Sequence, residues 1–308
     1  MSVNPRLTST TYQNQSLTIN YAYDEGDNAK GKLTSITDPS GSTHLEYDKD
    51  GNIIKKTKTI NNQPFTQEYS YNDKGKLISQ TYPSGKVVTY SYNQKGELDS
   101  ISIDGTPFIT DIKTNQLGLI EYTYSDGSKH KREYDTNGRV VKLIYPNYTE
   151  NINYNKVDDI TTIKTNNKTK NFDYDLMDRL IKYDLNQSEY QRFSYDANGN
   201  RLSLNQEINK TISYTIKPNT NILQTIKHIK YLDNNQTQIE QTINYTYDKL
   251  GNIISDGNHT YSYDARDRLT KVDNNITYQY DYDNKRVSKT INKHRNFYVS
   301  FLIFSANF

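Results

Sequence analysis

One unit recurs along the chain at nearly constant spacing: an aromatic, any residue, Tyr-Asp or a close variant, a turn, then a short strand of alternating apolar and polar residues. A repeat of this kind fixes architecture before any local propensity is considered. The stretch from Tyr261 to Lys289, YSYDARDRLTKVDNNITYQYDYDNKRVSK, carries the unit twice. With the Tyr of each turn as marker, the series runs Tyr23, Tyr47, Tyr71, Tyr92, a degenerate Thr114, Tyr134, Tyr154, Tyr174 and Tyr195. The steps are 24, 24, 21, 22, 20, 20, 20 and 21 residues. A second turn lies half a period on, as PSG at Pro39 to Gly41 and Pro83 to Gly85, or SDG at Ser125 to Gly127. Two turns in about 20 residues means two strands of roughly 5–8 residues each.

The turn residues have defined tasks. Candidate repeat-turn positions are Tyr47, Asp48 and Gly51; Tyr71 and Gly75; Tyr134, Asp135 and Gly138; Tyr195, Asp196 and Gly199; Tyr247, Asp248 and Gly251; and Tyr263 with Asp264. Asp at the corner is expected to accept hydrogen bonds from backbone amides two and three residues on. Gly, four residues after the marker, is expected in the left-handed conformation that closes a hairpin with a bulge. Pro before the second turn pre-sets φ.

Between turns the pattern has period two. Tyr69 and Tyr71, Tyr90 and Tyr92, Tyr122 and Tyr124, Phe193 and Tyr195, Tyr245 and Tyr247, and Tyr261 and Tyr263 each place two rings on one strand face, with Thr, Ser, Lys or Gln on the other. Rings on neighbouring hairpins are expected to meet across strands as a tyrosine ladder. No segment shows a sustained 3.6-residue apolar stripe. The fold expected is therefore all-β: repetitive antiparallel hairpins forming one long, curved, spiralling sheet. Its divisions are an N-terminal lead-in over 1–20, the repeat sheet over 21–290, and an apolar non-repeat tail over 291–308. Tyr214 to Tyr247, 33 residues, breaks the period and reads as longer strands with an extended hairpin.

Only 33% of residues are hydrophobic and mean hydropathy is −0.96, so a conventional dense interior is poorly supplied. The 29 Tyr against 8 Phe and no Trp fit a half-wet sheet, because each ring brings apolar area and a hydroxyl that needs a partner. Lys+Arg 38 against Asp+Glu 36, interleaved, points away from nucleic acid and anionic membrane. The absence of Cys excludes disulfides, thiol catalysis and zinc-thiolate sites. MSVNPRLTST has no signal-peptide character, and the apolar end is too short for a membrane span of about 20 residues.

Candidate chemistry is sparse. Asp48-Lys49-Asp50-Gly51-Asn52 has some features of a calcium loop, but its ligand spacing is wrong and turn chemistry accounts for it. Asp281 and Asp283 alternate with Tyr280 and Tyr282, which reads as a solvated face neutralised by Lys285. His44, His130, His228, His259 and His294 lack metal or triad spacing and read as ordinary sheet residues. There is no phosphate-binding Gly loop, GxSxG or HExxH, so no catalytic residue, cofactor or metal is assigned. Asn147-Tyr148-Thr149 and Asn258-His259-Thr260 are sequons by composition alone.

The strings YDKDGNI, YNDKGKLISQTYPSGKVVTYSYN, YDTNGRVVKLIYP, YDANGNRLS and YDARDRLTKV resemble the YD repeat of the RHS family, over about residues 20 to 290. That family includes bacterial polymorphic toxins, insecticidal toxin complex components and teneurins. The resemblance implies a β-sheet that spirals into a hollow shell; in the bacterial toxins the shell encloses a C-terminal toxic domain and ends in a self-cleaving core segment. That core, with its DPxGR-type ending, has no counterpart after Lys289, so no catalytic role carries over. Asn296 to Phe308 holds four of the eight Phe and leaves the repeat grammar. It reads as a truncated or frame-shifted end or the edge of a longer protein, with an ordinary closing strand as the alternative.

The expected function is a structural, non-enzymatic segment of a shell wall beside or around a cargo domain encoded elsewhere. The alternative is a module binding cell-surface carbohydrate or protein. Expected partners are the toxin or cargo domain and the remaining shell repeats, with a cell-surface glycan under the alternative. The expected location is secreted or cell-surface as part of a longer protein, and cytoplasmic if the chain is made alone.

Overall fold

The computed structural model describes residues 6–12, 17–186, 189–207, 209–232, 236–291 and 294–297. Their regular structure consists of 29 strands with no helix, which bears out the all-β reading. Ile, Val, Thr and Tyr fill the strands because branched and aromatic side chains pack well on a pleated surface. The tail beyond 297 lies outside the described residues, as do 1–5 of the lead-in. The chain divides into two compact units, 1–112 with 261–308, and 113–260.

In the first unit a meander runs from Ser9–Tyr12 to the strand Thr106–Asn115, each strand pairing antiparallel with the next. A separate five-stranded meander, Tyr261–Tyr263 to His294–Phe297, belongs to the same unit. In the second unit a meander runs from Gly118–Tyr124 to Thr237–Asn244, followed by a small hairpin of Thr246–Tyr247 and Ile253–Ser255. The irregular stretch is the long pair Leu223–Tyr231 and Thr237–Asn244, as the spacing implied, although 233–235 of its turn fall outside the described residues.

A register shift sits immediately before almost every marker: at Glu46/Tyr47, Ser70/Tyr71, Glu133/Tyr134, Asn153/Tyr154, Asp173/Tyr174, Ser194/Tyr195 and Gln279/Tyr280, among others. Each is a β-bulge, the companion of a left-handed residue closing the turn. One face of the first unit is closed, with Ile19, Ile36, Leu45, Ile60 and Ile101 buried beside the polar Thr43, Lys58, Gln67 and Gln80. Val287 and Ser288 of the terminal meander are buried as well. In the second unit the corresponding face carries Tyr, Phe and Ile that stay mostly half-buried, with Leu119, His130, Ile152 and Leu204 fully covered.

Candidate functional site

The repeat turns form a ladder whose rungs follow from the marker sequence. Asp48 Oδ1 accepts from the amides of Asp50 at 2.9 Å and Asn52 at 2.8 Å, and Asp48 Oδ2 accepts from Asn52 Nδ2. Asp135, Asp196, Asp248 and Asp264 repeat the pattern, and Asn72, Asn93 and Asn155 substitute for Asp. The amides reached are two and four residues on, not two and three: the third amide, that of Gly51, donates to the Asp48 backbone carbonyl instead. This arrangement occupies both oxygens of Asp48, in keeping with turn chemistry over a calcium loop.

Gly51, Gly75, Gly138, Gly199 and Gly251 take φ of +89°, +72°, +81°, +86° and +91°. Sequence reasoning missed that Asp158, Asp178, Asp267 and Asn284 fill the same position at φ +72°, +57°, +56° and +61°. Asp and Asn tolerate the left-handed region through local hydrogen bonds, so the Gly count understates the number of closed turns.

Marker tyrosine hydroxyls reach back one hairpin. Tyr47 Oη donates to the Leu33 carbonyl at 2.6 Å, Tyr71 to Ile53 at 3.0 Å, Tyr134 to Leu119 at 2.9 Å, Tyr154 to Val140 at 2.8 Å, Tyr195 to Leu180 at 2.8 Å and Tyr247 to Leu223 at 2.5 Å. The acceptor lies at or beside the residue that opens the strand after the previous turn. A cation just past that turn then covers the ring: Lys32 over Tyr47, Lys76 over Tyr92, Arg139 over Tyr154, Arg179 over Tyr195 and Arg268 over Tyr280, at 4.7 to 5.1 Å from the ring centroid. Its head group continues to the next turn, as Lys32 does to the Gly51 carbonyl at 3.0 Å and Arg179 to the Asp196 carbonyl at 2.8 Å.

Marker tyrosines are thus latches. Ring-to-ring contacts gather Tyr122, Tyr124, His130, Tyr145 and Tyr148 and join the pair Phe172–Tyr183. The expected continuous aromatic ladder is replaced by hydroxyl-to-carbonyl and cation–π rungs, because the bulge before each marker turns its ring toward the preceding hairpin. Burial raises Tyr47, Tyr71, Tyr92, Tyr154 and Tyr174 above the usual phenol range, and pushes Tyr69 and Tyr90 up to about 12. Tyr263 closes the first strand of the terminal meander and Asp264 begins its turn, where Asp264 and Arg268 form a well-covered pair at 2.7 Å.

Asp281 overturns its sequence reading. It is 2% exposed and forms an ion pair with Lys58, itself 6% exposed, while its Oδ1 caps the turn through the amides of Asp283 and Lys285. Alternation does place Asp281 on a face, but the terminal meander packs that face against the N-terminal one. Next to it, the Tyr282 amide donates to Asp38 Oδ2 at 2.9 Å. Asp283 remains as expected, paired with Lys285 at 3.0 Å and half exposed. A cleft of about 240 Å³ borders this seam, lined by Leu17, Ser40, Arg268 and Tyr280 among others.

The histidines do not behave alike. His44 is exposed on the polar face, and His294 has no described side chain. His130 is 4% exposed, stacked on Tyr122 at 5.0 Å and met edge-on by Tyr145 at 5.0 Å, with no hydrogen-bond partner on either ring nitrogen. Burial, with a smaller contribution from Arg132, lowers its pKa.

Comparisons with known proteins agree with this fold. Residues 23–142 match the family model described as Teneurin YD-shell. The structure of the Photorhabdus luminescens Tc holotoxin pore superposes with a TM-score of 0.65 at 14% identity, covering 89% of this chain and 18% of that one. A crystal structure of TcdB2-TccC3 gives 0.52 at 13% identity, over 89% and 19%. At such identities the likeness is one of fold. The tRNA nuclease WapA of Bacillus subtilis (strain 168) is 30% identical over 125 residues, 39% of this chain and 5% of that protein.

Proposed function

We propose that this chain, whose residues 23–142 match the Teneurin YD-shell model and whose fold is shared with Tc toxin structures, is a wall segment of a longer RHS/YD-repeat protein, enclosing or flanking a cargo domain encoded outside these residues. The observation that carries this reading is the uniform latch. Tyr134, Tyr154, Tyr174 and Tyr195 each hold the preceding hairpin by the same bond at 2.8 to 2.9 Å. Solenoid-like sheets gain stability this way, from nearest-neighbour interfaces repeated without limit, and a wall needs that extensibility more than it needs a local constellation. The role proposed is non-catalytic, and Asp48, Asp135 and Asp196, carboxylates held below their usual range, are occupied in building turns.

Limited proteolysis of the full-length protein containing this segment tests the reading. An intact wall should protect a separate domain of the same chain, and the triple variant Tyr134→Phe, Tyr154→Phe, Tyr174→Phe should expose it at lower protease doses. Equal cleavage of that domain in both proteins contradicts enclosure.

A further inference from the structure

Asparagine followed by glycine occurs twice in the chain, as Asn137-Gly138 and Asn198-Gly199. Both pairs occupy the same two positions of a marker turn. In each, the Asn amide donates to the turn carboxylate at 2.9 Å, that of Asp135 or Asp196. The Gly amide donates to the backbone carbonyl of the same Asp at 3.1 Å, with φ of +81° or +86°. Both asparagines are exposed. Their side chains differ: Asn198 Nδ2 donates to Asn221 Oδ1 at 3.3 Å, an oxygen that also accepts from Asn200 Nδ2 at 3.0 Å. Among the described residues no such bond holds the side chain of Asn137.

We propose that Asn137 is a self-modification site, where the chain converts this asparagine to aspartate or isoaspartate, and that the tether to Asn221 makes Asn198 its protected twin. The Gly138 nitrogen attacks Asn137 Cγ. The N–Cγ bond forms, the Cγ–Nδ2 bond breaks, and ammonia leaves with the amide proton. Water then opens the cyclic imide at either carbonyl. Glycine permits the close approach because it carries no Cβ. Leu117 Cδ2 stands 3.2 Å from where a Cβ of Gly138 would be, while Gly199 has open space. That crowding acts against Asn137, so a faster reaction there belongs to its free side chain. Isoaspartate lengthens the main chain between the amides of residues 137 and 139, which Asp135 Oδ1 holds at 2.9 and 3.0 Å. Breaking one of these bonds loosens Arg139, whose guanidinium covers Tyr154 at 4.7 Å. The inference stands apart from the wall reading.

Incubation of this chain in mildly alkaline buffer, followed by peptide mapping with mass spectrometry, reads both sites in one sample. Product should accumulate about fivefold faster at Asn137 than at Asn198, the rate equivalent of one hydrogen bond. In urea the two rates should converge, since the tether is then gone. Asn221→Ala should raise the Asn198 rate to that of Asn137, and Asn221→Asp, which keeps the acceptor oxygen, should not. The comparison with urea decides the matter even if Asn221→Ala fails to fold. Equal rates in the folded chain, a difference that persists in urea, or an Asn198 rate indifferent to Asn221→Ala would overturn the assignment. The purified isoaspartate form should unfold at lower urea than the fresh chain; an identical midpoint would overturn the loosening of Arg139.

Discussion

Lys58 and Asp281, 223 residues apart, meet as a buried ion pair that joins the terminal meander to the N-terminal one within the first unit. Removing one partner leaves the other charge buried alone, so Lys58→Met or Asp281→Asn should each destabilise by about 3–5 kcal/mol. Asn keeps the Oδ1 cap on the turn, which makes Asp281→Asn a test of the charge alone. The double variant should recover much of the loss. Urea denaturation of all four proteins measures it; additive single losses would show that the two residues do not couple.

Acid should loosen the turns before it affects the strands. Asp48 is held below the usual carboxylate range by Asn52, Asp135 by the Arg139 amide and side chain, and Asp24 down to about 2 by Arg6 and the Gly31 amide. Their contribution is present above the unfolded carboxylate pKa of about 3.9 and disappears as pH falls through the lower folded values. Thermal midpoints should therefore drop between about pH 4 and pH 2. Asp48→Asn, which preserves the turn acceptor as Asn72 does naturally, should flatten part of that limb.

The latch and its covering cation should couple. Tyr154→Phe loses the bond to the Val140 carbonyl, at about 1 kcal/mol. Arg139→Met loses the pair with Asp135 at 2.7 Å and the cation–π contact at 4.7 Å. A double-mutant cycle should return a coupling of about 0.5–1 kcal/mol. In alkali, the raised Tyr154 contributes stability that is complete below the unfolded phenol pKa of about 10 and lost above it. Absorbance at tyrosinate wavelengths should rise together with loss of β-sheet signal.

Two glycines separate close approach from mere turn closure. At Gly41, φ is +147° and an added Cβ would fall 1.9 Å from the Thr59 carbonyl oxygen. Gly75 has φ of +72° and open space around it. Gly41→Ala should cost more than about 3 kcal/mol. Gly75→Asn should cost about 1 kcal/mol or less, since Asn284 holds the equivalent position.

Most of the hairpin order was legible, because it depends on contacts between residues about 20 apart that repeat their own signals: Tyr47 to Gly51, or Tyr134 to Gly138. The long strands after Tyr214 were legible for the same reason. The destination of the marker hydroxyls was not, since a Tyr can pack or latch equally well on pattern alone and the bulge that decides between them is a backbone event. Asp281 was misread because its burial comes from a surface more than 200 residues away in the chain. His130 was hidden for a related reason: alternation assigns a face, but whether a polar group there finds a partner depends on three strands at once.

Electron cryo-microscopy of the full-length protein carrying this segment tests the account most directly. Residues 23–142 should appear as latched hairpins in a wall, with density for another domain of the same chain on one side of it. A map in which this sheet stands free, with solvent on both faces and no enclosed domain, would contradict the proposal.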